Sequence, residues 1–226
     1  MYLFARYVIL KLPYSKNEKD FLKFIELIND GDHVLDIGAN IGVMSYYLSK
    51  RLPNSAIHAF EPVPENMKVF LKVKRKFKLS NVKTYPIAVG NESGKIDMIM
   101  PQENAVYFHG LSRVNQDIQN NGKISTVEIK RLDELNDFKK VKVNALKIDV
   151  EEYEFNVLKG AEDLISKNRP VIYCELWDTE NRKNSMEFIK KLDYKIFVNV
   201  NNKLTVFIEQ EGIQNFFFIP NEYAYI

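Results

Sequence analysis

A lone cysteine, Cys174, excludes an internal disulfide framework and fits a reducing compartment, so a cytoplasmic location is the expectation. It lies inside the apolar run "VIYCELW", where an inert buried thiol is expected. No uninterrupted apolar run reaches the roughly 18 to 20 residues that a membrane-spanning helix needs. The opening "MYLFARYVILKLP" is apolar, but it contains Arg6 and Lys11 and has no small-residue cleavage site. It reads as an amphipathic segment packed on the domain or a partner, with peripheral membrane contact as the sharper alternative. A formal charge of +2 is too small to suggest a nucleic-acid partner. Low-complexity linkers and internal repeats are also missing, so residues 1–226 read as a single domain, of unknown oligomeric state.

What is present is a packed globule's composition, 46% hydrophobic and 27% charged. Residues 1–30 form a helical segment, in which Phe21, Phe24, Ile25 and Ile28 recur at helical spacing before Gly31. "HVLDIG", "SAIHAFEP" and "NVKTYPIAVG" read as buried strands, separated by helices at 43–52 and 65–77. "GKIDMIM" and "STVEIKRL" alternate like antiparallel strands inside an insertion at 91–140. "NALKIDV" returns to a buried strand. Val157, Leu158, Ala161, Leu164 and Ile165 mark one helix over 153–167, and "PVIYCELW" is the next strand. "YKIFVNV", "KLTVFIE" and "NFFFIP" close the chain, joined too tightly for crossover helices. The pattern predicts an α/β fold: a doubly wound, mostly parallel sheet with an antiparallel edge and a small β insertion around 91–131. Ligands of such sheets bind at the carboxyl ends of the strands.

Four acids fall at those ends: Asp36, Glu61, Asp149 and Glu175. Any one could be an ordinary helix cap. Glu61 stands about 20 residues beyond a glycine loop, where a carboxylate can accept hydrogen bonds from ribose hydroxyls. Dinucleotides and S-adenosylmethionine both meet that condition. The loop Gly38-Ala39-Asn40-Ile41-Gly42 is out of register with the dinucleotide fingerprint G-x-G-x-x-G. Asp36 precedes it, where a negative charge opposes a pyrophosphate and suits an ammonium or sulfonium. The loop therefore suits a cationic amino-acid ligand.

"VLDIGANIG", "FEPVPEN", "IAVG", "LKIDVEEYEFNVLKGAE" and the closing "NFFFIP" together resemble the FkbM family of S-adenosylmethionine-dependent methyltransferases, from about Asp32 to Pro220. The resemblance implies a Rossmann-like methyltransferase fold. It also implies that Asp36, Gly38, Ala39, Asn40 and Gly42 hold the methionine part of S-adenosylmethionine. Glu61, with Pro62 beside it, would take the ribose, and Ala88, Val89 and Gly90 would lie against the adenine. Family members that are understood methylate hydroxyl groups of sugars and small natural products. The family pattern D-V-E-G-x-E is broken here, because Glu152 stands where the glycine is usual.

Methyl transfer needs an acceptor oxygen in line with the methyl carbon and a route for its proton, so positioning carries much of the rate. Asp149, which would also border the cofactor, and Glu151 are the candidate catalytic carboxylates, and His109, on a polar loop, is a further candidate base. The alternative for Asp149 is a helix cap. A metal among Asp149, Glu151 and Glu175 is conceivable, but no spacing demands one, and none is expected. The basic run "KVKRKFK" reads as a solvated helix rim, with an anionic partner as the alternative. The expected acceptor is a glycan or small hydroxylated molecule. Competing readings are a protein or nucleic-acid methyltransferase, an NAD-dependent oxidoreductase, and a binding protein without turnover.

Overall fold

The computed structural model describes residues 1–11, 18–103, 106–107, 113–114, 122–209 and 211–223. Helices α1 (Tyr2–Lys11) and α2 (Lys19–Glu26) precede β1 (His33–Ile37), α3 (Val43–Arg51), β2 (Ala56–Phe60), α4 (Pro64–Phe77) and β3 (Val82–Tyr85). Short β4 (Ala88–Val89) is followed by β5 (Gly94–Glu103), β6 (Val106–Tyr107), β7 (Arg113–Val114) and β8 (Gly122–Lys130). Then come β9 (Val143–Ile148), α5 (Glu154–Lys159), α6 (Glu162–Asn168), β10 (Val171–Glu175) and α7 (Glu180–Lys191). The chain ends with β11 (Tyr194–Val200), β12 (Lys203–Val206) and β13 (Asn215–Pro220).

The main sheet runs β12-β11-β13-β10-β9-β1-β2-β3. Its five strands from β10 to β3 are parallel, whereas β13 runs antiparallel to both β10 and β11. The expected mostly parallel sheet with an antiparallel edge is therefore present. Consecutive Phe216, Phe217 and Phe218 of β13 are all fully buried, although neighbours on a strand point to opposite faces. Only a sheet covered on both sides allows this. Phe217 belongs to the core that includes Phe21, Phe24, Leu48 and Phe70 of α2 to α4, and Phe216 and Phe218 to the core that includes Val157, Ile165 and Ile189 of α5 to α7.

Two details depart from the sequence reading. The third strand does not run unbroken to Gly90. It stops at Tyr85, before Pro86, which has no N–H for the ladder, and Ala88–Val89 joins β8 in a second sheet ordered β4-β8-β5-β6, with β7 pairing β5. The helix expected over 153–167 is also broken, between Lys159 and Glu162. A Cβ on Gly160 would fall 1.8 Å from the carbonyl oxygen of Gly90, so only glycine allows the helix pair to seat against β4. The apolar periodicity crosses this break because both short helices bury the same face.

Candidate cofactor and acceptor site

The carboxyl ends of β1, β2, β9 and β10 converge on a cleft of about 140 Å³ lined by Gly38, Asn40, Glu61, Pro62, Asp149, Glu151 and Glu175, among others. It shares Gly38, Pro62, Met98 and Val150 with an adjoining apolar slot of about 30 Å³, which Phe60, Ala88, Val89 and Tyr153 complete. Most of the residues singled out from sequence thus meet in one place. Met98 reaches both compartments from β5, so the second sheet forms one wall.

The loop after β1 is built to bring backbone close. Gly38 and Ala39 both donate their N–H groups to the carbonyl of Phe60, at 3.1 and 2.9 Å. Gly38 has φ +78°, and a Cβ there would lie 1.8 Å from the carbonyl oxygen of Asp149. No side chain fits between β1 and β9 at that level. Asn40 also has positive φ, and its N–H donates to Glu61 Oε2 at 2.8 Å. Gly42, in the left-handed region, starts α3.

Glu61 is held from several directions. Oε1 accepts from the Val63 N–H at 2.9 Å and from Asn66 Nδ2 at 3.3 Å. Burial pushes the Glu61 carboxyl up to about 7, partly opposed by the hydrogen bonds from Val63, Asn40 and Asn66. A carboxylate has about four lone-pair sites. Oε2 therefore keeps acceptor capacity, and the long Asn66 contact is the one most easily exchanged for a ligand hydroxyl.

Asp36 is placed differently from the others. It is fully buried behind the cleft, accepts from Ser45 Oγ at 2.5 Å and lies 3.3 Å from Lys147 Nζ. Lys147, of β9, also lies 3.2 Å from Asp149 Oδ2 and donates to the Gly38 carbonyl at 2.9 Å. Burial opposes its charge, but Asp149 and Asp36 more than offset this and hold the ammonium protonated. Sequence reading missed Lys147. The available signal was its position two residues before Asp149, the spacing that puts two side chains on one face of extended chain.

The rest of the cleft is acidic. Glu175 at the end of β10 is pushed up to about 7 by burial and then by the Asp149 charge. Glu18, before α2, is raised by burial and by Asp149, and nothing in the local sequence there marks it as a neighbour of the cleft. Glu151 and Glu152 both have positive φ, at +54° and +72°. Glu152 accepts a 2.8 Å hydrogen bond from Thr179 Oγ1, which ties the strained turn to the start of α7. Glu154 accepts from the Val150 N–H at 3.1 Å and from Asn181 Nδ2 at 2.5 Å, fixing the same turn from below. His109 lies outside the described residues. Among the described residues, no group of three or more His, Cys, Asp or Glu is arranged to hold a metal ion.

A doubly wound sheet with this strand order and edge places the chain in the Rossmann-like methyltransferase fold class. The crystal structure of an FkbM methyltransferase from Methylobacillus flagellatus KT superposes with a TM-score of 0.57 at 16% identity, covering 84% of this chain and 44% of that one. Aeropyrum pernix fibrillarin, whose structure holds natively bound S-adenosyl-L-methionine, superposes with a TM-score of 0.51 at 15% identity over 90% of this chain and 73% of that one. Methyltransferase 1 of Beauveria bassiana is 30% identical over 149 residues, or 59% of this chain and 60% of the relative. The model of the Methyltransferase FkbM domain matches residues 36–211, so the chain belongs to the FkbM methyltransferase family. It spans less than two thirds of the length of the Beauveria protein and less than half of the Methylobacillus one.

Proposed function

We propose that the protein is an S-adenosylmethionine-dependent methyltransferase that methylates a hydroxyl of a sugar, glycoconjugate or other small hydroxylated molecule. The observation that carries this reading is Glu61, a buried carboxylate pinned by the Asn40 and Val63 amides with one oxygen still able to accept, beside an apolar slot and a loop whose Gly38 leaves no room for a side chain. The residues fit the group. The slot suits an adenine, Glu61 the ribose, and the backbone cradle at Gly38 and Asn40 the amino-acid end. The excess of carboxylates over the single buried Lys147 favours a cationic ligand.

When bound, the cofactor supplies an electrophilic methyl group. The chain's own residues orient the acceptor and take its proton. Asp149 is half committed to Lys147, which makes it a positioning carboxylate. Glu175, pushed up to about 7, is matched to accept a proton at neutral pH, and Glu151 lines the same cleft. Met98 of β5 would form one wall of the acceptor pocket. Incubation with S-adenosylmethionine and a panel of sugars and polyols, read by mass spectrometry, tests this. A 14-dalton gain on a hydroxylated acceptor is expected, and transfer only to amines or to protein would overturn the choice of acceptor.

A further inference from the structure

Helix α1 is apolar on both sides. Ala5 and Ile9 are buried, Tyr2 and Val8 pack against the core, and the Tyr47 hydroxyl donates to the Ile9 carbonyl. On the outer side Leu3, Phe4, Tyr7 and Leu10 are 74%, 61%, 60% and 66% exposed. Their spacing makes one continuous helical stripe. A helix apolar all round is normally enclosed, and a contiguous exposed apolar stripe marks an interaction surface.

The neighbouring charge says what kind. Helix α1 contains no acid, and its Arg6 and Lys11 are exposed. It packs on α4, whose outward residues are Lys68, Leu71, Lys72, Arg75 and Lys76. Tyr2 of α1 joins Lys72, Arg75 and Lys76 in lining one shallow groove, so these cations flank the helix that carries the apolar stripe. The acid of α4, Glu65, is paired with Lys123.

We infer that this surface docks on an anionic lipid bilayer, with α1 lying in the interface and the α4 cations against the headgroups. A bilayer meets both halves of the surface at once: hydrocarbon takes Leu3, Phe4, Tyr7 and Leu10, and anionic headgroups take the basic stripe. A nucleic acid would leave the apolar stripe in water. A second copy meeting the same surface would set cation against cation.

The test is co-sedimentation of the full chain with phosphatidylcholine vesicles, with and without phosphatidylglycerol. Binding is expected only with the anionic lipid. It should fall as salt rises from about 0.1 M to 1 M, which shortens screening from about 10 Å to 3 Å. Phe4→Glu and the double variant Lys72→Glu/Arg75→Glu should each bind at least tenfold more weakly. All three positions are exposed, so thermal unfolding should be unchanged. A Phe4→Trp reporter should shift its emission to the blue on anionic vesicles alone. Absence of binding, equal binding to neutral vesicles, or retention by both variants would overturn the inference. So would a concentration-dependent dimer abolished by Phe4→Glu in a protein that ignores vesicles.

Discussion

Asp36 in β1 and Asp149 just past the end of the neighbouring β9 share one ammonium: Lys147 Nζ lies 3.3 Å from Asp36 Oδ1 and 3.2 Å from Asp149 Oδ2. The triad joins the floor of the cleft to its mouth, because Asp36 is fully buried while Asp149 lines the cavity. Removing the shared cation leaves a buried carboxylate without its counter-ion. Lys147→Met should cost about 3–5 kcal/mol of stability, read by urea unfolding. A loss below about 1 kcal/mol would mean that the ion pairs add little to holding β1 and β9 together.

Glu61 and Glu154 make stability depend on pH in an unusual direction. Burial raises both from 4.5 to about 7. Between those values the folded state keeps protons that the unfolded state has released, so stability falls as pH rises from about 4.5 to 7. Each group contributes on the order of 1–3 kcal/mol to that slope. Unfolding midpoints measured across the range should flatten in Glu61→Gln, and an unchanged slope would exclude Glu61 as a source.

The turn at Glu151 and Glu152 is strained, since two consecutive non-glycine residues have positive φ. The Thr179 hydroxyl on Glu152 is one of its anchors. Thr179→Val should therefore cost about 1 kcal/mol in the native chain and almost nothing when Glu152→Gly is also present. Equal costs in the two backgrounds would show that the hydrogen bond does not support the turn.

Gly160 against Gly90 links the helix pair to the apolar slot, because Gly90 follows Ala88 and Val89 directly. Gly160→Ala should destabilise by about 1–3 kcal/mol through overpacking, and should weaken binding of S-adenosylhomocysteine. Normal stability with full affinity would show that the backbone there can yield.

If Glu175 accepts the acceptor's proton, kcat/KM should decline below about pH 7, where burial and Asp149 place its titration. Glu175→Gln should lower kcat by about 10²-fold or more and remove that limb of the profile. Loss of activity with the limb retained would move the role to Asp149 or Glu151.

The parts of this molecule that a sequence reveals are those governed by short-range pattern. Apolar runs ending in Asp36, Glu61, Asp149 and Glu175 showed where the strands stop, and the positive φ at Gly38 and Gly42 follows from the glycines themselves. Lys147 was only half legible: its spacing from Asp149 is local, but its second carboxylate, Asp36, lies on the neighbouring strand and is brought to it by the fold alone. The break at Gly160 was hidden because its cause, the carbonyl of Gly90, lies 70 residues away. Glu18 approaches Asp149 only through the tertiary fold. Local chemistry was legible, and long-range partnership was not.

We propose that Glu61 and the loop after β1 bind the nucleoside and amino-acid parts of S-adenosylmethionine. Calorimetric titration of the wild-type protein and Glu61→Gln with S-adenosylhomocysteine, with NADH as a control, tests it most directly. Saturable binding to the wild type, at least tenfold weaker binding to Glu61→Gln and no heat from NADH are the predicted results. Binding of NADH, or equal affinity of both proteins for S-adenosylhomocysteine, would contradict it.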